Sequence, residues 1–233
     1  CALPIYVLKE YKEKTSATLV ANPNFYLGEP KTKNLIFKVV ATNAELQAVE
    51  TGDVDIHDQV VCDDDHIEEA MSAGFINLKI QPTLGYGYVA TNQKNEIFQD
   101  VKVRQALLHA IDRKSLNQAV YGQYAITLNI PQAPISWLYD DEGMETYDYD
   151  LEKAAELLKE AGWEKDGDKL MKDGKQMKIV FSAMSGNVVT DTMIPLMIDA
   201  YGQLGIDFQA EYVDWPTLQS KSQNGTFDML FMS

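Results

Sequence analysis

The densest set of chemistry-bearing side chains in the chain lies in DIHDQVVCDDDH, which supplies His57, Cys62, Asp63, Asp64, Asp65 and His66. Imidazole, thiolate and carboxylate together could hold a zinc ion and activate a water for hydrolysis. The spacing is against it, because C-x3-H with a distant His matches no compact zinc motif. Three consecutive Asp residues also have a plainer role at a helix start, where the helix dipole favours negative charge. DGDKLMKDGK is superficially like a calcium loop, but Leu170 and Met171 stand where an acid or amide and then Gly are needed. Ser185 in AMSGN lacks the first glycine of a nucleophile elbow. His57, His66 and His109 have no context marking a general base, and Asp53/Asp55 sit beside a turn. GYG at 85–87 precedes a strand, so it is not a phosphate-cradling loop. Catalysis has no support here; recognition has more. Tyr86 and Tyr88 lie in a Gly-rich strand, and Trp137, Tyr139, Tyr147 and Tyr149 populate a long loop, each an apolar ring, most with a polar tip.

These residues must be positioned by an α/β succession of elements. Residues 4–11 and 17–26 read as two strands around a polar turn, and NLIFKVV at 34–40 as a buried strand. Thr42 or Asn43 is placed to cap a helix that Gly52 stops, DVDIHDQVV returns as a short strand, and DDDHIEEAMSAG forms an acid-started helix. FINLKIQP and YGYVATN are expected strands. A single amphipathic helix follows over 97–116, with Val103, Ala106, Leu107, Ala110 and Ile111 on its apolar side. Residues 121–149 form an irregular stretch whose length suggests a task or a wrapped surface. DLEKAAELLKEAGW is a helix capped by Asp150, and 168–183 a hairpin turning at Asp173-Gly174. A helix over 191–204 containing Pro195, an alternating strand IDFQAEYVDW, a short helix capped by Asp214 and a last strand FDMLFM complete the order.

The 233 residues are enough for one large or two small domains, and 45% hydrophobic with 24% charged content is that of a folded chain. A net charge of -15 would repel phosphate backbones, which excludes nucleic acid as a natural partner. No apolar run approaches the roughly 20 residues of a membrane span, and no segment has signal-peptide form. Two cysteines make no disulfide framework.

Several segments together resemble the family 5 extracellular solute-binding proteins of ABC transporters, the peptide, dipeptide and nickel class. YVATNQKNEIFQDVKVRQALLHAIDRKSL is similar to that family's strand ending in Asn, then Asp, V-R-x-A-L and A-I-D-R. YDYDLEKAAELLKEAGW is similar to its helix ending in A-G-W. LKEYKEKTSATLVANPNFYLGEP, ETGDVDI and QLGIDFQAEYVDWPTLQSKSQNGTFDMLF resemble its hairpin, its S-G-E-I-D element and its L-G-I, D-W and F-D segments. The matches run in family order.

The resemblance implies a periplasmic-binding-protein-like (class II) fold, a mixed sheet flanked by helices, with residues 1–233 forming the second, C-terminal lobe and the N-terminal lobe absent. It implies capture of a small peptide for ABC permease subunits, by a monomer without cofactor. The place of action would be the extracellular face of the membrane, through a lipid anchor, or the periplasm. Cys1 resembles a lipoprotein cysteine, although the apolar ALPIYVLKEY after it is unlike the usual polar tether. Ligand contacts carried over by position are Thr83, Gly87 and Val89 on one strand face, Tyr86 and Tyr88 on the other, and Met184, Ser185 and Asn187 in a loop. Val89 and Met184 favour a small or apolar ligand portion. Arg104 is expected to pair structurally with a carboxylate or carbonyl. The alternatives are a metal-assisted hydrolase at His57/Cys62/His66 and a peptide-sensing interaction module.

Overall fold

The computed structural model describes residues 4–41, 44–58 and 64–233, and the chain divides into two compact units, Cys1–Leu78 and Lys79–Ser233. In the first, β1 (Tyr6–Lys12), β2 (Ser16–Ala21) and β3 (Asn34–Lys38) form an antiparallel sheet in that order. Asn22 closes the turn after β2: its Nδ2 donates to Pro4 O at 2.7 Å and its Oδ1 accepts from Asn24 N. β3 is not the buried strand its apolar run suggests, because Ile36 and Phe37 are 68% and 61% exposed. An apolar run reports a preference for burial and not the presence of a covering layer.

Helix α1 (Glu45–Glu50) buries Leu46 and Ala48 and stops at Gly52, whose φ is +71°. It starts at Ala44 without a side-chain cap, while Thr42 and Asn43 lie outside the described residues. The expected strand at 53–61 is absent over its described part, 53–58. Helix α2 (Asp64–Ser72) has Asp64 and Asp65 in its first turn and buries Ile67 and Ala70. FINLKIQP is irregular and contains the boundary between the two units.

The second unit opens with β4 (Tyr88–Thr91). The expected single helix over 97–116 is two, α3 (Val101–His109) and α4 (Arg113–Tyr121), preceded by a 3-10 turn at Glu96–Phe98. Asp100 caps α3 by accepting from Lys102 N. Asp112 starts the chain again by accepting from Ser115 N at 3.0 Å and from Ser115 Oγ at 2.6 Å. An Asp three residues before a Ser competes as an N-cap with continued helix, and here the cap wins. Those two bonds hold the Asp112 carboxyl below its ordinary pKa. A depressed folded pKa gives stability that is complete above the unfolded value of about 4 and is lost as pH falls through the folded one. The urea midpoint should therefore drop between about pH 5 and 3, and drop less steeply in Asp112→Asn, which can still cap but cannot titrate.

After α4 come the irregular stretch and α5 (Leu151–Glu160), capped by Asp150 and packed along α3. Three short strands, β5 (Glu164–Asp166), β6 (Lys169–Lys172) and β7 (Lys175–Gln176), make a small antiparallel sheet. Asp173 and Gly174 both have positive φ, +50° and +73°, as the tight hairpin turn predicted there requires. The second arm of that hairpin is shorter than expected. After buried Met177 the chain leaves for the main sheet as β8 (Lys178–Met184).

The rest is two crossover units: β8, α6 (Val188–Gln203), β9 (Asp207–Val213), α7 (Trp215–Asn224) and β10 (Met229–Met232). The strand order β4-β10-β8-β9 places β10, β8 and β9 parallel and β4 antiparallel at one edge. The chain steps from β8 to one neighbour through α6 and then back past it through α7. Right-handed crossovers in opposite directions put their helices on opposite faces. Burial agrees. Ile179, Phe181, Phe208, Met193, Met197 and Tyr201 share the main core with α3 and α5, whereas buried Leu218 and Leu230 lie outside that cluster.

Ser182 points to the α7 side and is 1% exposed, yet among the described residues its hydroxyl has no hydrogen-bond partner. Desolvating an unpaired hydroxyl costs on the order of 1 kcal/mol or more. Ser182→Ala should raise unfolding free energy by about 1 kcal/mol in urea titrations; a loss of stability would show that the hydroxyl is satisfied after all.

Candidate functional site

The last residues of the three parallel strands, Met184, Val213 and Met232, lie at one end of the main sheet, and Tyr88 begins antiparallel β4 at that same end. Crevices outside the carboxyl ends of parallel strands are where open α/β sheets hold ligands. Here α6 and α7 also begin, capped by Asn187, which accepts from Thr190 N at 3.1 Å, and by Asp214, which accepts from Thr217 N at 3.0 Å. Bonds from Thr217 hold the Asp214 carboxyl below its usual pKa.

The expected ligand residues are placed unevenly. Tyr86 and Tyr88 stand side by side, rings 5.8 Å apart and tilted by 47°, with Tyr88 46% exposed. Gly87 between them lies under Phe231: a Cβ there would come within 2.8 Å of the Phe231 ring. Its missing side chain leaves room for the Phe231 ring, while Gly87 itself stays exposed. Val89 pairs with Phe231 across the strands and is packed on the core. Met184 is half-buried opposite Val213, and Ser185 N donates to Val213 O at 3.0 Å. Asn187 is engaged as a helix cap, and Thr83 is exposed in the irregular segment before β4. Tyr86, Tyr88, Met184 and Ser185 are therefore brought to the open sheet end, while Gly87, Val89 and Asn187 shape it. Sequence reading missed Met232 and Val213. The rule that strand ends carry sites was available, but the strand order was not.

Residues behind the site are held by side-chain hydrogen bonds, three of the four to backbone. Asn92 donates to Gly225 O and Phe227 O at 3.0 and 2.7 Å, and Asp228 accepts from Asn95 Nδ2 and Val180 N, tying β4 and β10 to β8. Arg104 donates to Phe98 O at 2.7 Å and Gln99 O at 3.1 Å, the structural carbonyl pairing expected of it.

Two open hollows, about 400 and 360 Å³, lie elsewhere, along the seam between the irregular stretch and the ends of α3, α4 and α5. His109 belongs to that seam: its Nδ1 lies 2.7 Å from Asp148 O and its ring meets Tyr147 edge-on. Arg113 donates to Leu128 O, Asn129 Oδ1 and Tyr147 O. These groups fasten the loop, and neither hollow adjoins the sheet end. Among the described residues no three His, Cys, Asp or Glu side chains converge on a metal-sized site, while Cys62 and Asp63 of the sequence cluster fall outside them. No helix among the described residues is long and apolar enough to cross a membrane.

Residues 5–233 match the profile of bacterial extracellular solute-binding proteins, family 5 middle region. The chain is 32% identical over 235 residues to the oligopeptide-binding protein AppA of Bacillus subtilis, covering 97% of this chain and 42% of that protein. Its fold is similar to the structure of that AppA in complex with a nonapeptide, at a TM-score of 0.80 and 30% identity over 98% of this chain and 46% of the other. Lactococcal OppA, solved closed with an endogenous peptide, shares the fold at a TM-score of 0.84 and 20% identity, covering 98% and 46%. The chain thus spans less than half the length of these relatives. With a four-stranded mixed sheet flanked by helices, the family's motifs in order and this match over nearly all its residues, the chain belongs to family 5 of the bacterial extracellular solute-binding proteins.

Proposed function

We propose that this chain is one lobe, the second, of the substrate-binding component of an ABC importer, which captures peptides and delivers them to permease subunits in the membrane. The observation that carries the reading is the likeness, over 98% of this chain, to an oligopeptide-binding protein solved around a nonapeptide. The open sheet end agrees with it. Tyr86, Tyr88, Met184 and Ser185 offer rings, a thioether and a hydroxyl to a ligand, and Thr83 adds a second hydroxyl nearby in sequence. We read the site as one that holds its ligand and leaves it unaltered, in keeping with a family of solute-binding proteins. Such proteins grip by closing two lobes about a hinge, and burial from both sides supplies most of the contact. We place the protein outside the cytoplasmic membrane, as a monomer, lipid-anchored or in the periplasm.

Thermal unfolding of the full-length protein with a panel of di- to octapeptides, sugars and nickel tests this. A peptide present at a hundred times its dissociation constant should add about 2.7 kcal/mol of stability by mass action. Peptide-dependent rises in Tm are expected. A rise with nickel or a sugar, and none with any peptide, would reassign the ligand class.

A further inference from the structure

The strand register places more at the sheet end than the family resemblance does. Tyr88 pairs with Met232, so their side chains share a face. Leu230 pairs with Ser182, and carrying that register two residues on sets Met232 beside Met184. Met184 pairs in turn with Val213. One row therefore crosses the whole sheet on its α7 side: Tyr88, Met232, Met184, Val213, with the Tyr86 ring beside Tyr88. Every member is half-buried or exposed, in contrast to Ser182 and Leu230 one row behind, which are sealed. The row carries no charge. The opposite face at this end is already filled, by Phe231 over Gly87 and by Val89 on the core.

We infer that this row is a side-chain subsite selecting peptides with an apolar residue of variable shape, and that Met232 and Met184 are its specificity-determining pair. The inference rests on the peptide-capture reading and names the substrate class within it. Two thioethers in one row would give such a subsite its breadth. Methionine is unbranched, polarizable and free to change rotamer, so a pair of them moulds to leucine, methionine or phenylalanine where a rigid branched pair would fit only one. The tyrosines bound the row with flat aromatic surface. A charged ligand side chain set on the row would lose hydration with no counter-charge from its members.

The test is equilibrium binding of pentapeptides Ala-Ala-Xaa-Ala-Ala to the full-length protein, with Xaa as Leu, Met, Phe, Lys or Asp. The wild type should bind the three apolar probes with similar affinity and at least about tenfold more tightly than the charged ones, a discrimination an apolar pocket can supply. Met184→Ala combined with Met232→Ala should erase most of that gap, and the two Met→Leu substitutions should keep it while spreading the apolar probes apart. Met184→Asp should move the preference to the Lys probe, because it supplies the counter-charge the row lacks. Circular dichroism and Tm verify that each variant is folded, and the Leu variants serve if the Ala pair is not. Peptides that bind without side-chain preference, or an unchanged probe order in Met184→Asp, would overturn the subsite and leave peptide capture standing. Failure of every probe to bind the wild type would overturn both.

Discussion

Arg113→Ala should lower the stability of the second unit by about 3 kcal/mol and raise amide exchange throughout residues 125–149. The guanidinium is half-buried at the start of α4 and donates to three acceptors on two separated parts of the irregular stretch: Leu128 O at 2.9 Å, Asn129 Oδ1 at 3.0 Å and Tyr147 O at 2.9 Å. Burial draws its pKa down and the nearby Asp148 carboxylate draws it back up; an arginine remains charged in either case. Bonds from a charged donor contribute roughly 1.5–3 kcal/mol each when removal leaves the acceptor without a partner, and they are not additive when they share one side chain. Arg113→Lys should recover little, since one ammonium cannot reproduce a planar fork spread over three oxygens. The neighbouring Lys114–Asp148 pair is too exposed to compensate. Should Arg113→Ala unfold within about 0.5 kcal/mol of wild type with exchange unchanged in the stretch, the loop would be held by its own turns instead, such as Ser136 N to Ala133 O and Tyr139 N to Ser136 O.

That prediction also answers why A-I-D-R occurs where it does, and it shows where sequence reading stops. The apolar spacing of Val103, Ala106 and Leu107 was sufficient for α3, but not for the break after it. Helix continuation and the Asp112 cap are both locally favourable, and the choice depends on Arg113 finding its acceptors 15 and 34 residues away. Other caps were plainer: Asp100, Asp150 and Asp214 each accept from the backbone expected of an N-cap. Asn187 shows the opposite case. Placed by resemblance in the ligand loop, its side-chain oxygen is taken by Thr190 N.

The candidate site was half legible for a related reason. Tyr86 and Tyr88 are two apart in YGYVATN, where the pleat of an expected strand puts them on one face; Tyr86 lies just before β4, and its ring still stands 5.8 Å from that of Tyr88. Met232 and Val213 join them only through the order β4-β10-β8-β9, in which the β4–β10 pairing joins residues more than a hundred positions apart. Local pattern gives a strand its faces but not its neighbours. Gly87 and Val89 lie against Phe231, a neighbour that belongs to β10 and that local pattern could not supply.

Gly205→Ala should be severely damaging, costing about 3–5 kcal/mol. Gly205 ends α6 in L-G-I with φ at +83°, a backbone conformation that disfavours any Cβ by about 1 kcal/mol. The larger cost is steric. A Cβ there would stand 2.8 Å from Leu170 N, 3.0 Å from Lys169 C and 3.1 Å from Asp168 O, all of them backbone atoms that no rotamer change can move. Gly205 O also accepts from Leu170 N at 2.7 Å, so the methyl would force apart a bond joining α6's end to β6. What lies on either side is core: Leu170, Leu204 and Ile206 are all buried in the main cluster. Relief would require shifting the small β5-β6-β7 sheet off that cluster, and this would drag Met177 and the entry to β8 with it. The loss should appear as a lower urea midpoint with an unchanged m-value if the protein stays two-state. Gly202→Ala three residues earlier is the matched control, since Gly202 has ordinary helical backbone and open space where its Cβ would go; there alanine should stabilise by up to about 1 kcal/mol. Equal effects at the two positions would mean that the helix end yields, and that α6 is not locked to the small sheet in the way these distances require.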